Sequence, residues 1–135
     1  MLKYLITDTR NGFKTLSVIN EETNKEIRLH SSYDPVKEAE RSIDAFDKGK
    51  ASIIIVSGIA LGYHLSCLKK KYPGTRIIAI EKESNIAAIC RELYPESLNG
   101  IDIVSGSDEP GLIFDTFDLT DFKGISHYIH KPSYQ

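Results

Sequence analysis

Tryptophan is absent from these 135 residues, methionine occurs once and cysteine twice. Two cysteines cannot build the disulfide framework of a small secreted domain. Neither Cys67 nor Cys90 stands in a CxxC pair or in a metal-ligand spacing. Both fall in stretches of helical periodicity and read as reduced, half-buried thiols, which fits a reducing cytoplasm better than secretion. No apolar run nears the ~20 residues of a membrane span, and the opening MLKYLITDTRNG is too polar for a signal peptide. There is no excess of basic charge. Lys and Arg number 17 against 19 Asp and Glu, a formal net charge of −2, so nucleic acid is a poor default partner. No repeat and no low-complexity linker interrupts the chain. No lysine follows the second glycine of the central loop to make a P-loop, and no serine stands in a Gly-x-Ser-x-Gly elbow. The histidines His30, His64, His127 and His130 make no HxxxH pair, so no metal site is expected.

What is present reads as an α/β protein. KYLITDT and KTLSVIN flank Asn11-Gly12, a strong hairpin signal because both residues tolerate positive φ. KEIRLH alternates as a third strand, so residues 1–33 read as a small antiparallel meander. In SSYDPVKEAERSIDAFDKGK, Val36, Ala39, Ile43 and Phe46 recur at helical spacing. Asp34 suits the N-cap there, Pro35 the first helical position and Gly49 the end. From Ser52 the pattern alternates strand and helix: SIIIVS, LGYHLSCLKKKY, RIIAI, SNIAAICRELY, IDIVS, a short helix in EPGLIFDTF, then ISHYIH. Continuous apolar strands alternating with helices predict parallel βαβ units with right-handed crossovers. Residues 34–135 thus read as a partial Rossmann-like sheet of order 3-2-1-4 with flanking helices, one compact unit with the meander. A sheet of this kind usually carries five or more strands, so the chain reads as a piece of something longer.

The stretch VSGIALGYH joins the first parallel strand to its helix. A nucleotide-binding loop needs backbone close to the ligand and helix N–H groups aimed at it, and an acid ending the second strand to accept from ribose. The elements here are Gly58, Ala60, Gly62 and Glu81, with Glu81 close to the ~20-residue spacing expected of such an acid. The spacing is Gly-x-Ala-x-Gly with Tyr63 where a dinucleotide fingerprint wants a small residue, so a nicotinamide cofactor is disfavoured. It is nearer the Gly-x-Gly-x-Gly of S-adenosylmethionine-dependent methyltransferases. A nucleotide-like ligand and a plain tight turn both remain open on spacing alone. His64, in the first turn of the helix, is expected neutral. It reads either as a partner for a phosphate or sugar or as a histidine satisfied by the loop. Tyr63 either stacks on a base or wedges the loop, and wedging is the simpler reading. Asp108 follows the third parallel strand, where it reads as an adenine contact or, preferably, as the N-cap of the next helix.

Two blocks together carry a resemblance: RLHSSYDPVKEAERSI and VSGIALGYHLSCLKKKYPGTRIIAIEKE. With the opening LKYLITDTRNGFKTL, they resemble the N-terminal region of the bacterial motility accessory factor family, near a group described as hydroxymethylpterin pyrophosphokinase-like. The resemblance covers nearly the whole chain. It matches Gly58, Gly62, Tyr63, His64 and Glu81 to the loop motif, and His30, Ser31, Tyr33, Asp34 and Pro35 to the earlier block. Ala60 stands where the family usually has glycine. The resemblance implies a protein that transfers a nucleotide-activated nonulosonic acid, a CMP-linked sugar, to Ser or Thr of flagellin in the cytoplasm. Donor nucleotide-sugar and flagellin acceptor would be its partners. The transferase centre is expected outside these residues, which would then bind or scaffold. The alternatives are a small-molecule methyltransferase-like enzyme using S-adenosylmethionine, and a pure interaction module.

Overall fold

The computed structural model describes residues 1–106 and 124–134. In chain order the elements are β1 (Leu2–Asp8), β2 (Lys14–Asn20), β3 (Lys25–Arg28), α1 (Pro35–Asp44), β4 (Ile53–Ser57), α2 (Tyr63–Lys71), β5 (Arg76–Glu81), α3 (Ser84–Leu93), β6 (Asp102–Ser105) and β7 (Ile125–Ile129). Short 3-10 turns occupy Pro95–Leu98 and Lys131–Tyr134. The helix expected in EPGLIFDTF, and Asp108, lie outside the described residues.

The strands form two sheets. The first is antiparallel, β1-β2-β3, and the second is parallel, β6-β5-β4-β7. Counting only the parallel strands, this is the order 3-2-1-4 expected from the alternation, a Rossmann-like arrangement with β4 inside. Registers are regular, with Ile55 opposite Ile78 on one side and His127 on the other. The pleat sends Ile54, Val56, Ile77 and Ala79 toward Ile43, Leu65, Leu68 and Cys90, and Ile53, Ile55 and Ile78 to the opposite face. Burial on both faces explains why these strands read as unbroken apolar runs.

The meander is not a separate body. Its Leu16 and Leu29 share a core with Ala39, Leu61, Tyr63 and Ile86. Polar clasps reinforce that core. Asn11, in the hairpin turn, donates from Nδ2 to Asp34 Oδ2 at 2.8 Å, while Asp34 Oδ1 caps α1 by accepting from Lys37 N–H at 3.0 Å. Ser31 Oγ accepts from the N–H groups of Tyr33 and Asp34, and Glu38 Oε1 accepts from Ser31 N–H. The His30–Pro35 block is therefore a self-bonded turn that sets the start of α1.

One boundary differs from expectation. α1 ends at Asp44 rather than running to Gly49. Lys71 of α2 supplies the reason: its Nζ donates to the carbonyls of Ile43 at 2.9 Å, Asp44 at 3.2 Å and Phe46 at 2.6 Å. An ammonium satisfying the last carbonyls favours ending the helix there. Among the described residues no helix is long and apolar enough to cross a membrane.

Candidate functional site

β4 ends at Ser57, and the chain passes through Gly58 to Gly62 before entering α2. Gly58 has φ +95° and Gly62 φ +81°, both in the left-handed region. Space is as decisive as angle. A Cβ on Gly58 would lie 2.7 Å from Ser133 Oγ, and one on Gly62 would lie 2.3 Å from Ser97 Oγ. The two glycines let the loop close on this chain's own serines. Ala60 adopts φ +48° and is completely buried. The left-handed conformation costs a residue with a Cβ about 1–2 kcal/mol, so glycine would be the unstrained residue at this position.

Glu81, at the carboxyl end of β5, reaches back to this loop. Its Oε1 accepts from Ile59 N–H at 3.0 Å and its Oε2 from Glu83 N–H at 3.1 Å. Only 2% of the residue is exposed. Each carboxylate oxygen thus accepts one backbone N–H, and the acid expected to hold a ribose ties the loop to the β5–α3 turn. Tyr63 acts as the wedge: its hydroxyl donates to the carbonyl of Lys14 in β2, and its ring meets His30 edge-on, with centroids 5.0 Å apart. Burial, together with the neighbouring Tyr94 hydroxyl, pushes its phenol well above the ordinary range.

His64 is buried, and its Nε2 donates to the carbonyl of Gly58 at 2.7 Å. Desolvation holds its pKa down at about 4, so it is neutral. The imidazole of His130 stacks on it, with centroids 4.6 Å apart and an interplanar angle of 11°. His30 lies 5.5 Å from His130 and accepts from Leu61 N–H through Nε2 at 2.9 Å. Its pKa falls to about 3, by burial first and the nearby His64 second. His130 is lowered as well, by burial and then by the other two rings. The structure therefore joins three histidines from three distant segments at the carboxyl end of the parallel sheet.

Spacing did not find this stack. His30 entered only through the family resemblance, and His130 only as half of a pair that fails metal spacing. A usable signal was present in the topology: His130 directly follows β7, and β7 neighbours β4, so His130 emerges at the same sheet edge as the Gly58 loop. His64 and His130 lie face to face, while the His30 ring is tilted by 48° to His130. Among the described residues no cluster of ligating side chains is arranged to hold a metal.

Of the expected site residues, Gly58, Ala60, Gly62, Tyr63, His64 and Glu81 lie around one turn: His64 bonds Gly58, while Glu81 bonds Ile59 and Glu83 and Tyr63 bonds Lys14. Cys67 and Cys90 are free thiols, pushed up chiefly by burial. Ser57 Oγ and His127 Nε2 lie 2.6 Å apart beside the loop. That pair lacks oxyanion donors nearby, because Gly58 N–H is given to Ile80 O and Ile59 N–H to Glu81. Clefts around the loop include one of about 650 Å³ lined by Leu61, Gly62, Tyr63 and Ser97, one of about 310 Å³ between Glu81–Glu83 and the meander, and one of about 570 Å³ reached by His30, His64 and His130.

No family model matches the chain, and no curated protein matches it. Among solved structures it is similar to the O-methyltransferase family 2 protein from Planctomyces limnophilus DSM 3776, crystallised in complex with apigenin. The TM-score is 0.43 and the identity 18%, over 51% of this chain and 24% of that one. The chain spans about a quarter of the length of that protein, and a likeness of this degree bears on neither activity nor ligand.

Proposed function

We propose that this chain is a scaffolding α/β domain of the motility accessory factor kind, part of a cytoplasmic protein that transfers a nucleotide-activated nonulosonic acid to flagellin. One observation supports the reading above the rest. The two blocks that carry the resemblance clasp each other, through Leu61 N–H donating to His30 Nε2 and Tyr63 lying against His30. Blocks selected as one structural unit are expected to meet in this way. Within that reading the domain organises rather than catalyses. Glu81 is buried and bonded to the Ile59 and Glu83 N–H groups, His64 is bonded to Gly58, and the Gly58 and Gly62 turns are packed against Ser133 and Ser97.

The experiment is calorimetric titration of the chain with CMP, a CMP-linked nonulosonic acid and S-adenosylmethionine. The expected result is no heat of binding from any of them. Micromolar S-adenosylmethionine binding that disappears in Glu81→Ala would replace this reading with the methyltransferase-like one. Donor binding lost in Gly62→Val would make the loop a nucleotide-sugar site.

A further inference from the structure

Each histidine of the stack commits one ring nitrogen to the protein. His30 Nε2 accepts from Leu61 N–H, His64 Nε2 donates to Gly58 O, and His130 Nδ1 bonds Ser133 Oγ at 2.7 Å. None of the three makes a second hydrogen bond among the described residues. The three residues are only 4%, 2% and 7% exposed. A fully shut-in polar atom without a partner is found among the described residues only at Thr9 Oγ1. Without partners among the described residues, the second nitrogens are not fully shut in, and all three rings line a cleft of about 570 Å³. That volume falls within the size range of small-molecule sites, roughly 300–1,000 Å³.

The hydrogen bonds fix what those nitrogens offer. Leu61 N–H can only donate, so the His30 proton sits on Nδ1 and points a donor at the cleft. The Gly58 carbonyl can only accept, so the His64 proton sits on Nε2 and Nδ1 presents a lone pair. A ligand must supply an acceptor for one and a donor for the other, and a hydroxyl group does both. The faces of the rings are taken: His64 stacks on His130 and leans on Tyr128, while His30 meets Tyr63. Phe46 and Tyr128 add apolar wall, and Ser42 a hydroxyl. The charged side chains at the cleft, Glu38 and Lys131, are exposed at its rim. Among the described residues no other charged side chain lines the cleft to offset a desolvated ion, which disfavours a charged ligand there.

We propose that this cleft binds a neutral polyhydroxylated compound of about monosaccharide size, held by the free ring nitrogens of His30, His64 and His130. The site rests on the imidazoles alone and stands whether or not the chain belongs to the family it resembles.

The test is long-range proton–nitrogen NMR of the imidazole rings of the whole chain at neutral pH. The probes are D-glucose, D-galactose and N-acetyl-D-glucosamine at millimolar concentration, with sodium acetate as the anionic arm. Saturable displacement of the His30, His64 and His130 ring nitrogens by at least one sugar, with acetate inert, is the expected result. No displacement by any of the sugars overturns the proposal. So does displacement by acetate with proton uptake at the rings, which would make the cleft an anion site.

Discussion

Acid should unfold this protein far earlier than carboxylate titration would. His30, His64 and His130 are buried and neutral in the fold, with pKa values of about 3 and about 4 for the first two and a lowered value for the third. In the unfolded chain each returns to about 6.5. Because the folded values are depressed, the unfolded state binds more protons below pH 6.5, and stability falls as pH falls through that window. Above pH 6.5 the contribution is fully present. It is lost progressively down to the folded values, where the slope levels off. Each histidine contributes about 1.4 kcal/mol per pH unit, which gives about 2 kcal/mol lost per ring by pH 5 and about 6 for the three together. A domain of this size has roughly 5–15 kcal/mol to lose, so at pH 5 the fold should be marginal or gone. Among the described residues no carboxylate is a cause of any of the three shifts, and only the hydrogen bond to the Gly58 carbonyl, which raises His64, works against burial. The assay is urea unfolding followed by circular dichroism at a series of pH values between neutral and about 5, with the stability slope converted to protons taken up. A slope near three protons is expected below pH 6. His64→Gln, which keeps a donor for Gly58 O, should lower the slope by about one proton. A flat stability across that window in the wild-type chain would refute the reasoning.

Glu81→Ala should cost about 2–4 kcal/mol, because it leaves the N–H groups of Ile59 and Glu83 without acceptors in a buried place. Glu81→Gln should cost less, since its amide oxygen still accepts one of them; equal losses in chemical denaturation would contradict this. Gly62→Ala should cost more than about 2 kcal/mol, from the left-handed φ and the 2.3 Å approach to Ser97 Oγ. Removing the Ser97 side chain with Ser97→Gly should recover part of that loss, which a double-mutant cycle measures. Asp34→Ala should cost about 1 kcal/mol through the lost cap, and hydrogen exchange should quicken in the first turn of α1 and in the Asn11 hairpin together.

The architecture was legible because it rests on local patterns. Alternating elements, an Asn-Gly hairpin, an Asp-Pro helix start and doubly buried strands each have a period or a turn chemistry of their own. Strand order followed from the doubly wound rule for alternating strands and helices, which needs no side-chain detail. The loop was legible only as a location. Its glycines announce positive φ, yet the same spacing serves a turn open to a ligand and a turn closed on Ser97 and Ser133. Those serines lie far away in sequence, in the Pro95–Leu98 and Lys131–Tyr134 turns. The helix end at Asp44 was illegible for a similar reason, since its cap is a lysine from the next helix rather than a residue of its own.

The histidine stack follows the same logic and decides how the loop is to be understood. A neutral imidazole carries one donor and one acceptor, so a buried histidine spends one nitrogen easily and leaves the other in need of a partner. In this fold the first nitrogens of His30 and His64 hold the Gly58–Gly62 loop shut, at Leu61 N–H and Gly58 O. The same two rings line the neighbouring cleft. The groups that close the expected site are thus the ones that furnish another beside it. A ligand taken up there would bear on the rings that hold the loop, so the loop's closure and the cleft's occupancy are joined through shared side chains rather than through a long-range change of shape.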